Sequence, residues 1–196
     1  MFKHALCGSA LLLGLVGAKV VADGPKPADR THAVAHAPVA VALVTDAVAV
    51  LAPSKASDGK AAGTIVFKAE KGYVLVTGEV TGLTPGKHGF HIHMFGDLRA
   101  ADGTSAGGHY NPDGHEHGGP DSESHHAGDL GNIEANSEGV AKVQVKSKDL
   151  KIQDILGRSV VVHGDADDLK SQPSGNAGPR VALGVIGLAD GAPKAK

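Results

Sequence analysis

The stretch "GFHIHMFGD", residues 89–97, alternates histidine with apolar side chains and therefore indicates a β-strand. Successive side chains of a strand point to opposite faces, so His91 and His93 share one face. The apolar side chains of the opposite face are Phe90, Ile92 and Met94. Two interpretations are open on this stretch alone. The strand either has a polar outer face, or its two imidazoles hold a metal ion.

The rest of the sequence favours an all-β fold. The 196 residues suit one domain with extra segments at its ends, and the 28 glycines argue against long helices because glycine weakens a helix interior. Further strand-like runs occur at 47–51, 64–68, 73–80, 129–135, 140–146, 159–163 and 181–188. Short strands in this number predict an antiparallel sandwich or barrel. Long polar loops, at 96–126 and 164–180, are where such a scaffold carries its functional site.

Both ends of the chain are predicted to lie outside the folded domain. Residues 1–22 have the features of a signal peptide, with a positive Lys3, an apolar stretch and a cleavage point after Ala22 or, alternatively, after Ala18. An uncleaved anchor is the other interpretation, but the apolar stretch is shorter than the ~20 residues of a membrane-spanning helix. We therefore expect export to a periplasmic or extracellular location. The expected segments are a signal peptide at 1–22, a loose arm at 23–45, a folded domain at 46–190 and a tail at 191–196.

Charge and cysteine content narrow the choice of function. The formal net charge of −2 argues against a general nucleic-acid binder. Removal of residues 1–22 would take away Lys3 and Lys19 but no acidic residue, which makes the formal charge −4. It would also remove Cys7, the only cysteine, and a protein without disulfides is unusual in an oxidising compartment.

Histidine is concentrated in one part of the chain. Nine of the 12 histidines lie between His88 and His163. Imidazole is a good ligand for zinc and copper, and a carboxylate can complete a tetrahedral set. The candidate ligands are His91, His93, His109, His117, His126, Asp129 and His163. Residue type alone predicts two metal ions and leaves open how the ligands divide between them.

Six stretches together resemble the copper/zinc superoxide dismutase family, in the exported, bacterial-type form that lacks the intrasubunit disulfide cysteines. They are "GFHIHMFGD" (89–97), "TSAGGHYNP" (104–112), "HGGP" (117–120), "HAGDLGN" (126–132), "VVHGDADDL" (161–169) and "GNAGPRVALGVIG" (175–187). The resemblance implies an eight-stranded antiparallel Greek-key barrel with two long functional loops. It also implies dismutation of superoxide to oxygen and hydrogen peroxide by copper redox cycling at a histidine-bridged copper–zinc site.

The resemblance also implies a role for each candidate residue. Copper would be held by His91, His93, His109 and His163. Zinc would be held by His109, His117, His126 and Asp129, so that His109 bridges the metals and takes part in catalysis. Arg180 would attract and position the superoxide anion. Asp167 would hydrogen-bond one copper ligand and one zinc ligand, which fixes the orientation of both imidazoles.

The sequence departs from the family pattern at several positions. Gly103 and Leu183 occupy the places of the usual disulfide cysteines, so something else, such as metal binding, has to offset the missing bridge. The loop before His109 is one residue longer than the family pattern, and since this loop often contributes to the dimer interface, a homodimer is left open. Met94 replaces a usual glutamate and is expected to be structural. The histidines expected at the surface or in loops are His88, His115 and His125.

Two other functions are compatible with a metal-binding β-barrel. A copper or zinc carrier on the same fold would lack dismutase activity, but such carriers tend to lose copper ligands or the arginine, and this sequence keeps both. A histidine-rich metal scavenger without a rigid site needs no fixed spacing between its ligands. The ordered spacing of the candidate ligands therefore favours the enzyme.

Overall fold

Antiparallel β-strands form nearly all of the regular structure in the computed structural model, which describes residues 44–190. The strands are β1 (Asp46–Pro53), β2 (Ala62–Glu70), β3 (Tyr73–Thr81), β4 (Gly86–His93), β5 (Asp129–Ala135), β6 (Ala141–Ser147), β7 (Ser159–His163), β8 (Arg180–Val185) and β9 (Gly187–Leu188). The helical elements of this range are one turn, α1 (Ile152–Ile155), and the 3₁₀ turns Lys55–Ser57 and Thr104–Ala106. Within the same range, no helix has the length and apolar character needed to cross a membrane.

The predicted terminal segments fall mostly beyond the described range. The signal peptide and the C-terminal tail lie outside the described residues, and so does the predicted arm up to residue 43. The boundaries proposed for these segments therefore stay predictions.

The strands close into a barrel. They follow the order β2-β3-β6-β5-β4-β7-β8-β1, and β1 pairs with β2 as well as with β8. All of these pairings are antiparallel, and neighbours such as β3 and β6, or β4 and β7, are not consecutive in the sequence. This arrangement confirms the predicted all-β, eight-stranded Greek-key barrel.

The strand predicted at 181–188 is divided in two. β9 pairs with the start of β1, whereas β8 pairs with β7 and with the end of β1. Ile186 lies between β8 and β9, and its N–H donates to the carbonyl oxygen of Arg158 at 2.9 Å. The apolar pattern of the sequence does not reveal this change of partner, because Ile186 is buried although it belongs to neither strand.

The barrel core contains the apolar face of each strand. The side chains with no exposed surface include Ile65, Phe67, Val76, Phe90 and Ile92. β4 is buried on both faces, since every residue from His88 to His93 is buried. One face of β4 therefore packs in the core, and the other carries the two histidines of the opening stretch into a second buried layer.

Long loops follow β4 and β7, as the sequence predicts. The first long loop (94–128) is fixed to β4 by a backbone bond from Tyr110 N–H to the carbonyl oxygen of Ile92 at 2.8 Å. The second long loop (164–179) is fixed to the first by Gln172. Its side-chain oxygen accepts from His117 N–H at 2.8 Å, and its amide donates to the His117 carbonyl at 2.9 Å. The two loops therefore hold a defined geometry with little regular secondary structure.

Candidate metal centre

Buried side chains form two ligand clusters that share His109. The first cluster contains only imidazoles: His91, His93, His109 and His163. The second contains imidazoles and one carboxylate: His109, His117, His126 and Asp129. Within each cluster the possible ligand atoms lie within 4.8 Å of one another, and every member is buried. The structure thus brings together all of the ligand residues that the sequence predicts.

The barrel supplies the rigid side of the first cluster. β4 carries His91 and His93, and the neighbouring strand β7 ends at His163. An isolated backbone bridge between His93 and His109 holds the first long loop beside these strands. The pairing of β4 with β5 is irregular between Gly89 and His91, and such irregularities commonly redirect a side chain near a functional site.

Backbone carbonyls determine which ring nitrogen of His93 and His163 carries the proton. Nδ1 of His93 lies 2.9 Å from the Gly107 oxygen, and Nδ1 of His163 lies 3.1 Å from the Gly178 oxygen. A carbonyl oxygen only accepts, so each Nδ1 donates and each neutral ring keeps its lone pair on Nε2. The two Nε2 atoms lie 3.3 Å apart. A cation bound by both would satisfy the two lone pairs.

Asp167 fixes His91 and His117 in the other tautomer. Its carboxylate accepts from Nε2 of His91 at 2.8 Å and from Nε2 of His117 at 3.0 Å. In the neutral form of each ring the lone pair is therefore on Nδ1, and neither Nδ1 has a hydrogen-bond partner among the described residues. Nδ1 of His117 lies 3.0 Å from a carboxylate oxygen of Asp129, but without hydrogen-bond geometry. A buried, unpartnered nitrogen facing a carboxylate indicates that a cation binds to both.

His109 presents one ring nitrogen to each cluster. Its Nδ1 is 2.7 Å from Oδ1 of Asp129, on the side of the second cluster. Its Nε2 is buried and has no hydrogen-bond partner within the described part of the chain. Nδ1 of His126 lies 3.2 Å from the same Asp129 oxygen and completes the second cluster. The donor atoms therefore fit two adjacent metal ions joined by one imidazole.

The electrostatics of the two clusters differ. Burial lowers the pKa of His91 to about 4 and that of His163 to about 3, so these two imidazoles are neutral at neutral pH. Burial also opposes protonation of His117, but the Asp129 and Asp167 carboxylates outweigh it and raise its pKa to about 9. Burial opposes ionisation of Asp129, yet hydrogen bonds from neighbouring imidazoles hold its pKa well below the usual value. A metal requires unprotonated ligands, so His91 and His163 are ready to bind one, whereas His117 has to exchange a proton for the metal ion.

Asp167 is held in place by groups that sequence analysis did not identify. The Asn132 amide donates to the Asp167 carbonyl at 2.9 Å and accepts from its N–H at 2.8 Å. Gly175 lies so close that a Cβ atom on it would stand 1.8 Å from Oδ1 of Asp167. Any larger residue at Gly175 would displace the carboxylate, and its φ of +66° also favours glycine. Both residues belong to stretches that carry the family resemblance.

A cavity of about 470 Å³ borders the first cluster. The imidazoles that form part of its wall are His93, His109, His126 and His163. Arg180 also lines the cavity, and its guanidinium donates to the carbonyl oxygens of Gly103 and Gly107, the latter at 2.6 Å. These bonds hold a positive charge at the cavity wall. They also connect β8 to the first long loop, which the sequence does not predict for Arg180.

The expectation that His88 lies at the surface or in a loop is wrong. His88 is part of β4 and only 2% exposed. Its Nδ1 lies 2.7 Å from the His163 carbonyl oxygen, and its Nε2 lies 2.8 Å from the Thr84 carbonyl oxygen. The alternation of β4 contained the signal, because His88 has the same parity as the buried Phe90. His115 and His125 do lie in the first long loop.

The expected structural role of Met94 in the apolar face of β4 is also wrong. Phe90 and Ile92 have no exposed surface, whereas Met94 is 38% exposed and lines the cavity. β4 ends at His93, and the Met94 N–H bonds to the carbonyl oxygen of Gly108 in the first long loop. The two-residue alternation therefore stops before Met94.

Gly103 and Leu183, at the positions of the missing disulfide, lie in contact. A Cβ atom on Gly103 would stand 2.7 Å from Cδ2 of Leu183. Leu183 packs against Ala106 and Val161 in a small apolar cluster. Apolar packing and the bonds from Arg180 thus connect the first long loop to β8 where a disulfide is expected.

Comparisons with known proteins agree with this geometry. A family model described as copper/zinc superoxide dismutase matches residues 61–186, a range that includes both ligand clusters and Arg180. The extracellular Cu-Zn superoxide dismutase of Onchocerca volvulus is 47% identical over 146 residues, which cover 67% of this chain and 72% of that protein. The chain therefore belongs to the copper/zinc superoxide dismutase family.

Proposed function

We propose that this protein converts superoxide to oxygen and hydrogen peroxide at a site that binds one copper and one zinc ion. The observation that carries the proposal is the position of His109, which is shared by two buried ligand clusters. One imidazole binds two cations through its two nitrogens only when it is deprotonated, and two closely spaced cations favour that state. Family membership supports superoxide as the substrate.

We assign copper to the first cluster. Imidazole suits copper, and this cluster borders the cavity through which a small anion can arrive. The ligand atoms are those that keep their lone pairs: Nδ1 of His91 and Nε2 of His93, His109 and His163. An exchangeable substrate needs such access from solvent.

We assign zinc to the second cluster. A set of imidazoles with one carboxylate suits a tetrahedral zinc site. The ligand atoms would be Nδ1 of His109, His117 and His126 and a carboxylate oxygen of Asp129. Because His117 and His126 belong to the first long loop, zinc would order that loop.

The residues of the chain bind and orient the substrate and handle its protons. Copper supplies the one-electron redox chemistry when it is bound, and zinc has none. Arg180 attracts superoxide into the cavity, which matters because the formal net charge of the chain is negative. With zinc held at Nδ1 of His109, its Nε2 could carry a proton and pass it to the departing peroxide. Asp167 accepts from Nε2 of His91 and of His117 and so directs Nδ1 of each ring toward its metal.

The test combines metal analysis with superoxide consumption on purified protein reconstituted with copper and zinc. We expect one copper and one zinc per chain and rapid consumption of superoxide. A carrier would hold a metal but would not consume superoxide, and a scavenger would bind variable amounts of metal without the fixed ratio. Either result would overturn the proposal.

Export is part of the same proposal. The relative from Onchocerca volvulus is an extracellular enzyme, which supports a periplasmic or extracellular location for this protein. The bacterial-type subgroup and the signal peptide rest on the sequence alone.

We further infer that the protein forms a homodimer through an apolar patch on one side of the barrel. The exposed apolar side chains of this patch are Val50, Phe95, Val185 and Leu188, which are 71, 53, 42 and 67% exposed. They are close in space, because β1 pairs with β8 and β9, and a Cβ atom on Gly96 would stand 3.1 Å from Cγ1 of Val185. Exposed apolar side chains grouped in this way are typical of an interface.

The mass in solution tests the dimer. Light scattering should give twice the chain mass for the native protein and a single chain mass for Val185→Glu. The control is Gln144→Glu, which adds the same charge to β6, on the opposite side of the barrel order. A native protein that is monomeric at high concentration would contradict the inference.

A further inference from the structure

Met94 is the only sulfur-containing residue within 44–190. The sequence has one cysteine and two methionines, and the other two of these residues are Met1 and Cys7. Met94 lines the cavity that borders the first ligand cluster, together with His93 and Arg180. The most oxidisable side chain of the described range therefore lies where the proposed reaction releases hydrogen peroxide.

We propose that Met94 is a site of oxidation to methionine sulfoxide by peroxide formed in this cavity, an inference that rests on the proposed function. Oxidation by peroxide converts a flexible apolar thioether into a polar sulfoxide. In this step the thioether sulfur forms a bond to one peroxide oxygen and the O–O bond breaks. The sulfur is oxidised by two electrons, and the second peroxide oxygen leaves as water after proton transfer. The oxidant is the product of the reaction itself.

The backbone keeps Met94 at this position. Its N–H donates to the Gly108 carbonyl at 2.9 Å, and its carbonyl accepts from Nη1 of Arg158 at 2.7 Å. The residue is 38% exposed and lines the cavity, so its side chain is open to peroxide without unfolding of the loop. His93, the residue before it, is 1% exposed and belongs to the first cluster.

The modification changes the route that the substrate takes. A sulfoxide oxygen carries partial negative charge and accepts hydrogen bonds, whereas the thioether is apolar. Arg180 lines the same cavity, so the new acceptor would oppose an incoming anion and weaken the attraction by the guanidinium. Whole charges change steered association by ~10 to 10³-fold, so a dipole should slow the reaction by less than about tenfold.

The first experiment measures the effect of the modification alone. Full-length protein carrying zinc but no copper is treated with hydrogen peroxide, digested for mass spectrometry, and then loaded with copper. We expect one added oxygen on the Met94 peptide, which mapping separates from Met1, and slower superoxide consumption at unchanged metal content. Treatment with methionine sulfoxide reductases of both stereospecificities should restore the rate. Met94→Leu, compared with its own untreated sample, should keep its rate after peroxide.

The second experiment tests whether the peroxide formed in the cavity is the oxidant. Copper–zinc protein consuming a steady supply of superoxide is compared with zinc-only protein given the same total amount of peroxide. More Met94 sulfoxide in the first sample supports the proposal, and equal or smaller amounts overturn it.

Superoxide consumption is recorded in the same sample. If superoxide is not consumed, the proposed function is overturned together with this inference. If superoxide is consumed and no sulfoxide forms on Met94, this inference alone is overturned. An unchanged rate after complete oxidation of Met94 would overturn its effect on the substrate route.

Discussion

The carboxylate of Asp167 accepts a hydrogen bond from Nε2 of His91 at 2.8 Å, and neither side chain has any exposed surface. The same carboxylate holds His117, so one residue sets the tautomers of a ligand in each cluster. An amide in its place would have one accepting oxygen for two donating imidazoles. One ring would then turn or move its proton to the nitrogen that binds the metal.

Asp167→Asn should therefore weaken metal binding by about 10- to 100-fold, the usual effect of losing such a partner. Competition with a chelator of known affinity measures this directly for zinc and copper. Asp149→Asn is the matched control, because it removes the same charge from a carboxylate that is half exposed and pairs with His125. Equal affinities of the two variants would contradict the role of Asp167.

His163→Ala should remove copper and leave zinc bound. His163 belongs only to the first cluster, and its ring bonds to the Gly178 carbonyl, outside the second cluster. Superoxide consumption should fall to the level of metal-free protein, while elemental analysis still finds one zinc per chain. His117→Ala is the reciprocal variant and should lose zinc first. Normal activity of His163→Ala would show that copper binds elsewhere.

The alternation of strands and the spacing of histidines made much of this site predictable. Alternation in a strand is a local property, and it identified β4 and the shared face of His91 and His93 before any contact was known. The division of the ligands into two sets rested on the family resemblance, since residue type alone did not separate them.

Features that depend on contacts between distant parts of the chain were not predictable. The parity of His88 in β4 was a local sign of its burial, but its hydrogen-bond partner, the His163 carbonyl, is 75 residues away and leaves no sign in the nearby sequence. Gln172 joins the two long loops through the backbone of His117, 55 residues away. Met94 was assigned to the apolar face by alternation. That assignment failed because β4 ends at His93, where bonds to the first long loop begin, and the local sequence does not show this end.

Arg180→Glu should slow superoxide consumption at low salt by at least about tenfold, because it reverses the charge that attracts the anion. Its side chain also bonds to the first long loop, so a second variant has to separate the two roles. Arg180→Lys keeps the charge but loses the paired hydrogen bonds of the guanidinium. It should be much faster than Arg180→Glu. Equal rates of Arg180→Glu and Arg180→Lys at low ionic strength would exclude electrostatic attraction by Arg180.

Leu183→Ala should destabilise the protein through loss of packing. Leu183 is 5% exposed and contacts the first long loop where a disulfide is expected. Removal of a buried leucine side chain usually costs about 2–5 kcal/mol, which for a chain of this size lowers the melting temperature by roughly 10 °C. Leu98→Ala is the control, since Leu98 lies in the same loop and is 37% exposed. Equal melting temperatures of the two variants would show that this contact contributes little.

Chelators should destabilise the protein, and thiol reductants should not. Cys7 is the only cysteine, so the chain cannot form an intramolecular disulfide. The first long loop depends instead on packing at Leu183, the bonds from Arg180 and the zinc ligands that it contains. Without zinc, only a proton on His117 offsets the Asp129 carboxylate, which lies 3.0 Å from its Nδ1, and the loop loses the ion that joins its ligands to Asp129. A metal that binds the folded site better than the unfolded chain raises the melting temperature.

Paired thermal melts test this, one with a phosphine reductant that leaves the metals bound and one with a strong chelator. We expect a lower melting temperature only with the chelator, together with faster proteolysis within 94–128. Equal melting temperatures with and without metal would show that zinc does not stabilise this loop in place of the disulfide.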